Sequence, residues 1–211
     1  MKGIIISGGK APSLELLSTY LKDKYLIIAS DSGANVTLKY KLEPNLIVGD
    51  LDSISKEAYH YYRGRNFKFV EFNPEKDFTD TELAIEEAIR LGADEILLFG
   101  CTGTRIDHVL ANLGLLVDYH EKGINIKLID DNNEIFATKK SIYLKGNKGE
   151  TFSLQAFREN VRKLTIKNAK YELFNYDLKA GSPLTVSNEF SDEDVYIDFE
   201  SGILLIILPR D

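Results

Sequence analysis

Short β-branched apolar runs alternate with amphipathic stretches through the N-terminal part of this chain, and no other feature constrains its fold as tightly. The apolar runs fall at residues 3–7, 25–30, 45–48, 67–72, 95–100 and 125–129, with amphipathic stretches at 13–22, 35–41, 55–63, 81–91 and 109–121. Runs of four or five apolar residues without polar alternation suit strands covered on both faces. Strands separated by helices pair in parallel through right-handed crossovers. The expectation is an open α/β sheet.

The pattern changes at the polar cluster DDNNE, residues 130–134. Short strand-like pieces follow at 135–137, 141–144, 151–156, 163–167, 184–187, 195–200 and 203–208, and no long helix separates them. Many short strands at regular spacing predict a smaller all-β sandwich. Residues 195–200 and 203–208, joined by Ser201-Gly202, read as a two-residue β-hairpin with glycine where positive φ is needed. The expected domains are 1–132 and 133–211.

Composition narrows the functional classes. Of 211 residues, 44% are apolar and 28% charged, as in an ordinary globular protein. Cys101 is the single cysteine, so no internal disulfide forms and a reducing compartment is expected. The start, MKGIIISGG, has too short an apolar run for a signal peptide, and no segment is apolar enough for a membrane span. The expected location is the cytoplasm. A net charge of -7 argues against general nucleic-acid binding, which needs a basic surface. It does not exclude phosphate ligands, since a divalent cation can bridge aspartates to phosphates.

In open α/β sheets ligands bind beyond the carboxyl ends of the strands, and there the acids of this sequence gather. The first strand runs into Ser7, Gly8 and Gly9, and the second into Asp31 of ASDSGAN. The third delivers Asp50 and Asp52 in GDLDS, the fourth leads to Asp77 and Asp80 in KDFTD, and the fifth ends in GCTGTRIDH. Aspartates two apart in an extended segment project to one side, where they repel unless a cation lies between them. Hard oxygen ligands with open positions suit magnesium. The competing reading makes Asp52 a helix cap. Thr79 and Glu82 fit a capping box, which leaves Asp77 and the neighbouring Lys76 unexplained. In GCTGTRIDHVLAN, glycines bracket a small-residue loop between strand and helix, Arg105 offers a fork for phosphate oxygens, and His108 and Asn112 lie one helical turn apart. No P-loop signature follows.

SGG, DSGAN, GDLDS, KDFTDTELA, GTRIDHVLAN and a late SNEF, in this order, resemble bacterial-type thiamine pyrophosphokinase, and the resemblance spans both halves of the chain. It implies an ATP-binding catalytic α/β domain over 1–132, a thiamine-binding and dimerisation β-sandwich over 133–211, and homodimers with active sites between subunits. The implied reaction moves the pyrophosphoryl group of ATP to the hydroxyl of thiamine, giving thiamine diphosphate and AMP. Carried over by motif, Asp50, Asp52 and Asp77 hold magnesium, and Asp80 and Asp107 join them as catalytic acids. Gly8, Gly9, Asp31, Gly33, Ser53, Thr104, Arg105 and His108 contact ATP. Ser187 and Asn188 bind thiamine, and with no tryptophan in the chain, Phe190 or a nearby tyrosine stacks on it.

The expected chemistry is in-line attack of the thiamine hydroxyl on the β-phosphorus, with Arg105 and Lys76 sharing the developing charge and Asp77 or Asp80 accepting the proton. Rival readings are transfer to another heterocyclic alcohol such as a pterin, decided near residues 187–190, and a nucleotide or thiamine sensor that binds without releasing AMP.

Overall fold

A computed structural model describes residues 1–211 apart from 23, 24, 74, 76 and 211. The chain divides into two compact units, Met1–Asp131 and Asn132–Asp211.

The first unit is built on strands β1 (Lys2–Ile6), β2 (Leu26–Ser30), β3 (Leu46–Gly49), β4 (Phe69–Glu71), β5 (Glu95–Phe99) and β6 (Asn125–Ile129). Each adjacent pair is parallel, in the order β6-β5-β1-β2-β3-β4. Helices α1 (Leu14–Tyr20), α2 (Gly33–Lys39), α3 (Lys56–Gly64), α4 (Asp80–Arg90) and α5 (Ile106–Glu121) form the crossovers. Ile4, Ile5 and Ile6 are all fully buried, as is every residue of β3 apart from the 5% exposure of Leu46, because helices cover both faces. Ile4, Ile6, Leu97 and Phe99 pack with Leu17 of α1. On the other face Gly3 lies against Ala88 of α4, and the Tyr119 hydroxyl of α5 donates to Glu86 of α4 at 2.7 Å. Each fully buried aliphatic side chain contributes about 1.5–3 kcal/mol.

Chain direction across this sheet reverses at β1, with β2 to one side and β5 to the other. The loops leaving β1 and β5 lie at this reversal of strand order, which is where a ligand crevice opens in such sheets.

The second unit is a sandwich of two antiparallel sheets. One has the order β12 (Asn188–Glu189), β9 (Thr151–Ala156), β14 (Leu204–Pro209) and β7 (Asn133–Thr138). The other has the order β11 (Leu173–Leu178), β10 (Val161–Lys167), β13 (Val195–Asp198) and β8 (Ile142–Leu144). Phe152, Leu154, Leu204 and Ile206 of the first pack against Leu164, Ile166, Val195 and Ile197 of the second.

Two local expectations fail here, and one strand has no counterpart among the expected ones. The hairpin at Ser201-Gly202 is a corner: β13 pairs with β10 and β8, whereas β14 pairs with β7 and β9. Gly202 adopts φ +109 with its α-carbon against Val161, and Arg162 clamps the corner by bonding Ser201 and Glu200 backbones at 2.9 Å. Both strands still aim alternate residues at one core, so the sequence pattern is the same for hairpin and corner. Residues 184–187 are a turn closed by Val186 N–H on the Pro183 carbonyl at 3.2 Å. Strand β11 has no counterpart among the expected strands: residues 174–177 are exposed at the edge, only the end residues Leu173 and Leu178 face the core, and Asn175 at φ 48 breaks it.

Candidate active site

Past the end of β1, backbone bonds to the β5 loop continue the sheet as a double loop. Ser7 N–H donates to the Phe99 carbonyl at 2.8 Å, Gly9 to Gly100 at 2.7 Å and Lys10 to Thr102 at 2.6 Å. These loops, Asp31, and the start of α4 enclose a cavity of about 760 Å³ at the switch point, a volume suited to a small-molecule ligand. Gly8, Gly9, Asp31, Ser53, Asp80, Thr104, Arg105 and His108, all expected at the site, line it. Ser7 Oγ and Thr81 Oγ1 meet at 3.0 Å on its buried side and tie β1 to α4. Gly33 lies outside the lining and has a packing role: a β-carbon there would fall on the Ile6 carbonyl, so glycine lets α2 seat against β1.

Three carboxylates converge beside the cavity. Asp31, Asp50 and Asp52 each offer an oxygen within 4.8 Å of the others. Gly49, at φ +147, brings the end of β3 against Asp31, where a β-carbon would lie 3.1 Å from the Asp31 β-carbon. Leu51, at φ 65, then turns the chain between Asp50 and Asp52, at a strain of order 1–3 kcal/mol. The Asp52 amide donates to Asp50 Oδ1 at 3.2 Å and Ser53 Oγ donates to Asp52 Oδ1 at 2.7 Å.

Asp52 does not cap the next helix. Ser55 does, accepting from Ala58 N–H at 3.1 Å, which leaves the Asp52 carboxylate to the cluster. Asp31 Oδ1 is buried with no hydrogen-bond partner. Burial raises the Asp31 carboxyl above its ordinary value, the charges of Asp80 and Asp52 add to this, and the Ser32 and Ser53 amides oppose it. Hard oxygen donors, mutual repulsion and an unsatisfied buried oxygen fit a divalent cation.

Other expected residues are placed elsewhere. Asp77 is exposed and does not join the converging carboxylates, and Lys76 lies outside the described residues. Thr79 caps α4 by accepting from Glu82 N–H at 3.2 Å, and Glu82 returns a bond to the Thr79 amide. Arg105 donates to Asp107 at 2.6 Å in an exposed pair that holds the Asp107 carboxyl below its usual range. Asn112 turns inward and donates to the Cys101 carbonyl at 2.8 Å. Burial pushes the Cys101 thiol up to about 12, so it stays protonated at neutral pH.

In the second unit Ser187 is exposed, at φ 56. Asn188 is buried, and its side chain is used up locally: Oδ1 accepts from Tyr171 N–H at 3.0 Å and Glu189 N–H at 2.8 Å, and Nδ2 donates to the Tyr171 carbonyl at 2.8 Å. Phe190 is core, 4% exposed and packed on Phe152 with centroids 4.9 Å apart, so it cannot stack on a ligand. Reading by sequence also passed over Lys10, Phe78 and Thr102 on the cavity wall. Thr102 Oγ1 is buried with no hydrogen-bond partner. The available signal was position, since Lys10 and Thr102 stand in the loops at the ends of β1 and β5.

Comparison with known proteins bears on the same two units. The family profile described as thiamin pyrophosphokinase, catalytic domain, matches residues 17–128, and that described as thiamin pyrophosphokinase, vitamin B1 binding domain, matches residues 139–204. The thiamine pyrophosphokinase of Bacillus subtilis (strain 168) is 32% identical over 209 residues, 98% of each chain. This chain belongs to the thiamine pyrophosphokinase family. A crystal structure of thiamine pyrophosphokinase from Bacillus subtilis superposes with a TM-score of 0.88 over all of both chains. That of a thiamin pyrophosphokinase family protein from Enterococcus faecalis, 31% identical, gives 0.85 over all of both. The α/β unit followed by a β-sandwich is thus the architecture of thiamine pyrophosphokinases. Among the described residues no helix is long and apolar enough to cross a membrane.

Proposed function

We propose that the chain is a magnesium-dependent thiamine pyrophosphokinase that transfers the pyrophosphoryl group of ATP to thiamine. The observation that carries the mechanism is the convergence of Asp31, Asp50 and Asp52 beside the switch-point cavity. They replace the expected set of Asp50, Asp52 and Asp77 as the metal ligands. A magnesium ion bound there supplies charge neutralisation for the phosphates.

The thiamine hydroxyl oxygen forms a bond to the β-phosphorus as the bond from that phosphorus to the α–β bridging oxygen breaks, and AMP departs with that oxygen. The hydroxyl proton goes to Asp80, which lines the cavity, in preference to the exposed Asp77. Backbone amides of the glycine loops and the Lys10 and Arg105 side chains orient the triphosphate, Arg105 leaving Asp107 to do so. Ser187 contacts thiamine, and Asn188 holds the β12 segment that presents it. The chain acts as a cytoplasmic homodimer.

Purified protein incubated with ATP, magnesium and a panel of alcohols tests the acceptor. The reading predicts AMP release with thiamine, and equal release with a pterin alcohol would refute it.

A further inference from the structure

Phe78 stands out on the cavity wall. It is 54% exposed, and as a phenyl ring on a cavity wall it offers an apolar face to whatever the cavity holds. The remaining lining is dominated by hydroxyls, glycines and charged groups, and among the described residues its one other aromatic ring is His108. Phe78 immediately precedes Thr79, whose cap on α4 is closed in both directions with Glu82, so its backbone is anchored to a helix end. Of the residues expected to stack in the second unit, Phe190 is spent in the sandwich core.

We propose that Phe78 is the aromatic face on which the flat heterocycle of a substrate stacks. The inference rests on the function proposed above, which brings two such rings to the site: the purine of ATP and the aminopyrimidine of thiamine. Both share the chemistry that phenyl recognises, a planar π-system with an apolar face. A ring laid on Phe78 also removes its exposed surface from water.

The test is calorimetric binding of ATP with magnesium, and of thiamine, to wild type and to Phe78→Ala, Phe78→Leu and Phe78→Tyr, alongside AMP release. Loss of one stacking contact corresponds to about 5-fold to 150-fold weaker binding. Phe78→Ala should weaken one ligand by that factor, Phe78→Tyr should restore it, and Phe78→Leu should not. Weakened ATP identifies the purine as the stacked ring, and weakened thiamine the aminopyrimidine. Unchanged affinity for both, or full restoration by leucine, overturns the inference. Wild type that binds both ligands but releases no AMP refutes the proposed function while the Phe78 comparison still stands.

Discussion

Replacing Asp31 by asparagine should stabilise the metal-free protein and remove its response to magnesium. Three carboxylate oxygens lie within 4.8 Å of one another, and a pair of charges at that spacing repels by about 1 kcal/mol under water-like screening. Asp31→Asn keeps the shape but eliminates two of the three repulsive pairs, roughly 2 kcal/mol. For a chain of this length that corresponds to a melting temperature about 4–8 °C higher. Magnesium at a hundred times its dissociation constant should add about 2.7 kcal/mol to wild type and little to the variant.

The pH dependence has a definite sign. Burial first, then the charges of Asp80 and Asp52, place the folded carboxyl above its ordinary 3.8. Between those two values the folded state binds more protons than the unfolded, so wild-type stability falls as pH rises through the window. The advantage of the variant is fully present above the folded value and vanishes below 3.8. Thermal melts in EDTA and across a magnesium titration at neutral pH provide the check. A variant no more stable than wild type in EDTA, or equally stabilised by magnesium, refutes the reasoning.

Other perturbations separate ligand contacts from scaffold. Asn188→Ala strands the buried amides of Tyr171 and Glu189 and should cost about 2–4 kcal/mol in chemical denaturation, whereas Ser187→Ala should leave stability intact and raise KM for thiamine. Gly33→Ala places a methyl on the Ile6 carbonyl, and denaturation should show a loss at the upper end of the ~1–3 kcal/mol of overpacking. Arg105→Ala should leave the melting temperature unchanged, since its partner Asp107 is exposed, while raising KM for ATP in steady-state kinetics. Equal effects of the two Asn188 and Ser187 changes, or unaltered KM in Arg105→Ala, would contradict these assignments.

The parallel sheet was legible because helices bury both faces of its central strands, and runs such as GIII and LIVG suit strands covered on both sides. Strand β11 was not, because an exposed edge strand needs no apolar alternation. The corner at Gly202 was read as a hairpin because alternate burial toward a shared core looks the same on one sheet or two. Within the site, GDLDS pointed correctly to neighbouring carboxylates, but their third companion comes from a loop 19 residues earlier, at Asp31, and only the β2–β3 pairing brings it there. The burial of Asn188 and Phe190 was hidden for a different reason. A polar or aromatic residue in a motif can be retained for packing, and burial alone reveals it.

The central claim is pyrophosphoryl transfer at the Asp31–Asp50–Asp52 site. It is tested most directly by following γ-labelled ATP with thiamine and magnesium in wild type and Asp50→Asn. The account predicts labelled thiamine diphosphate with unlabelled AMP from wild type, and a rate lower by about 10²-fold or more in the variant. ADP with labelled thiamine monophosphate, or an undiminished rate in a folded Asp50→Asn protein, would contradict it.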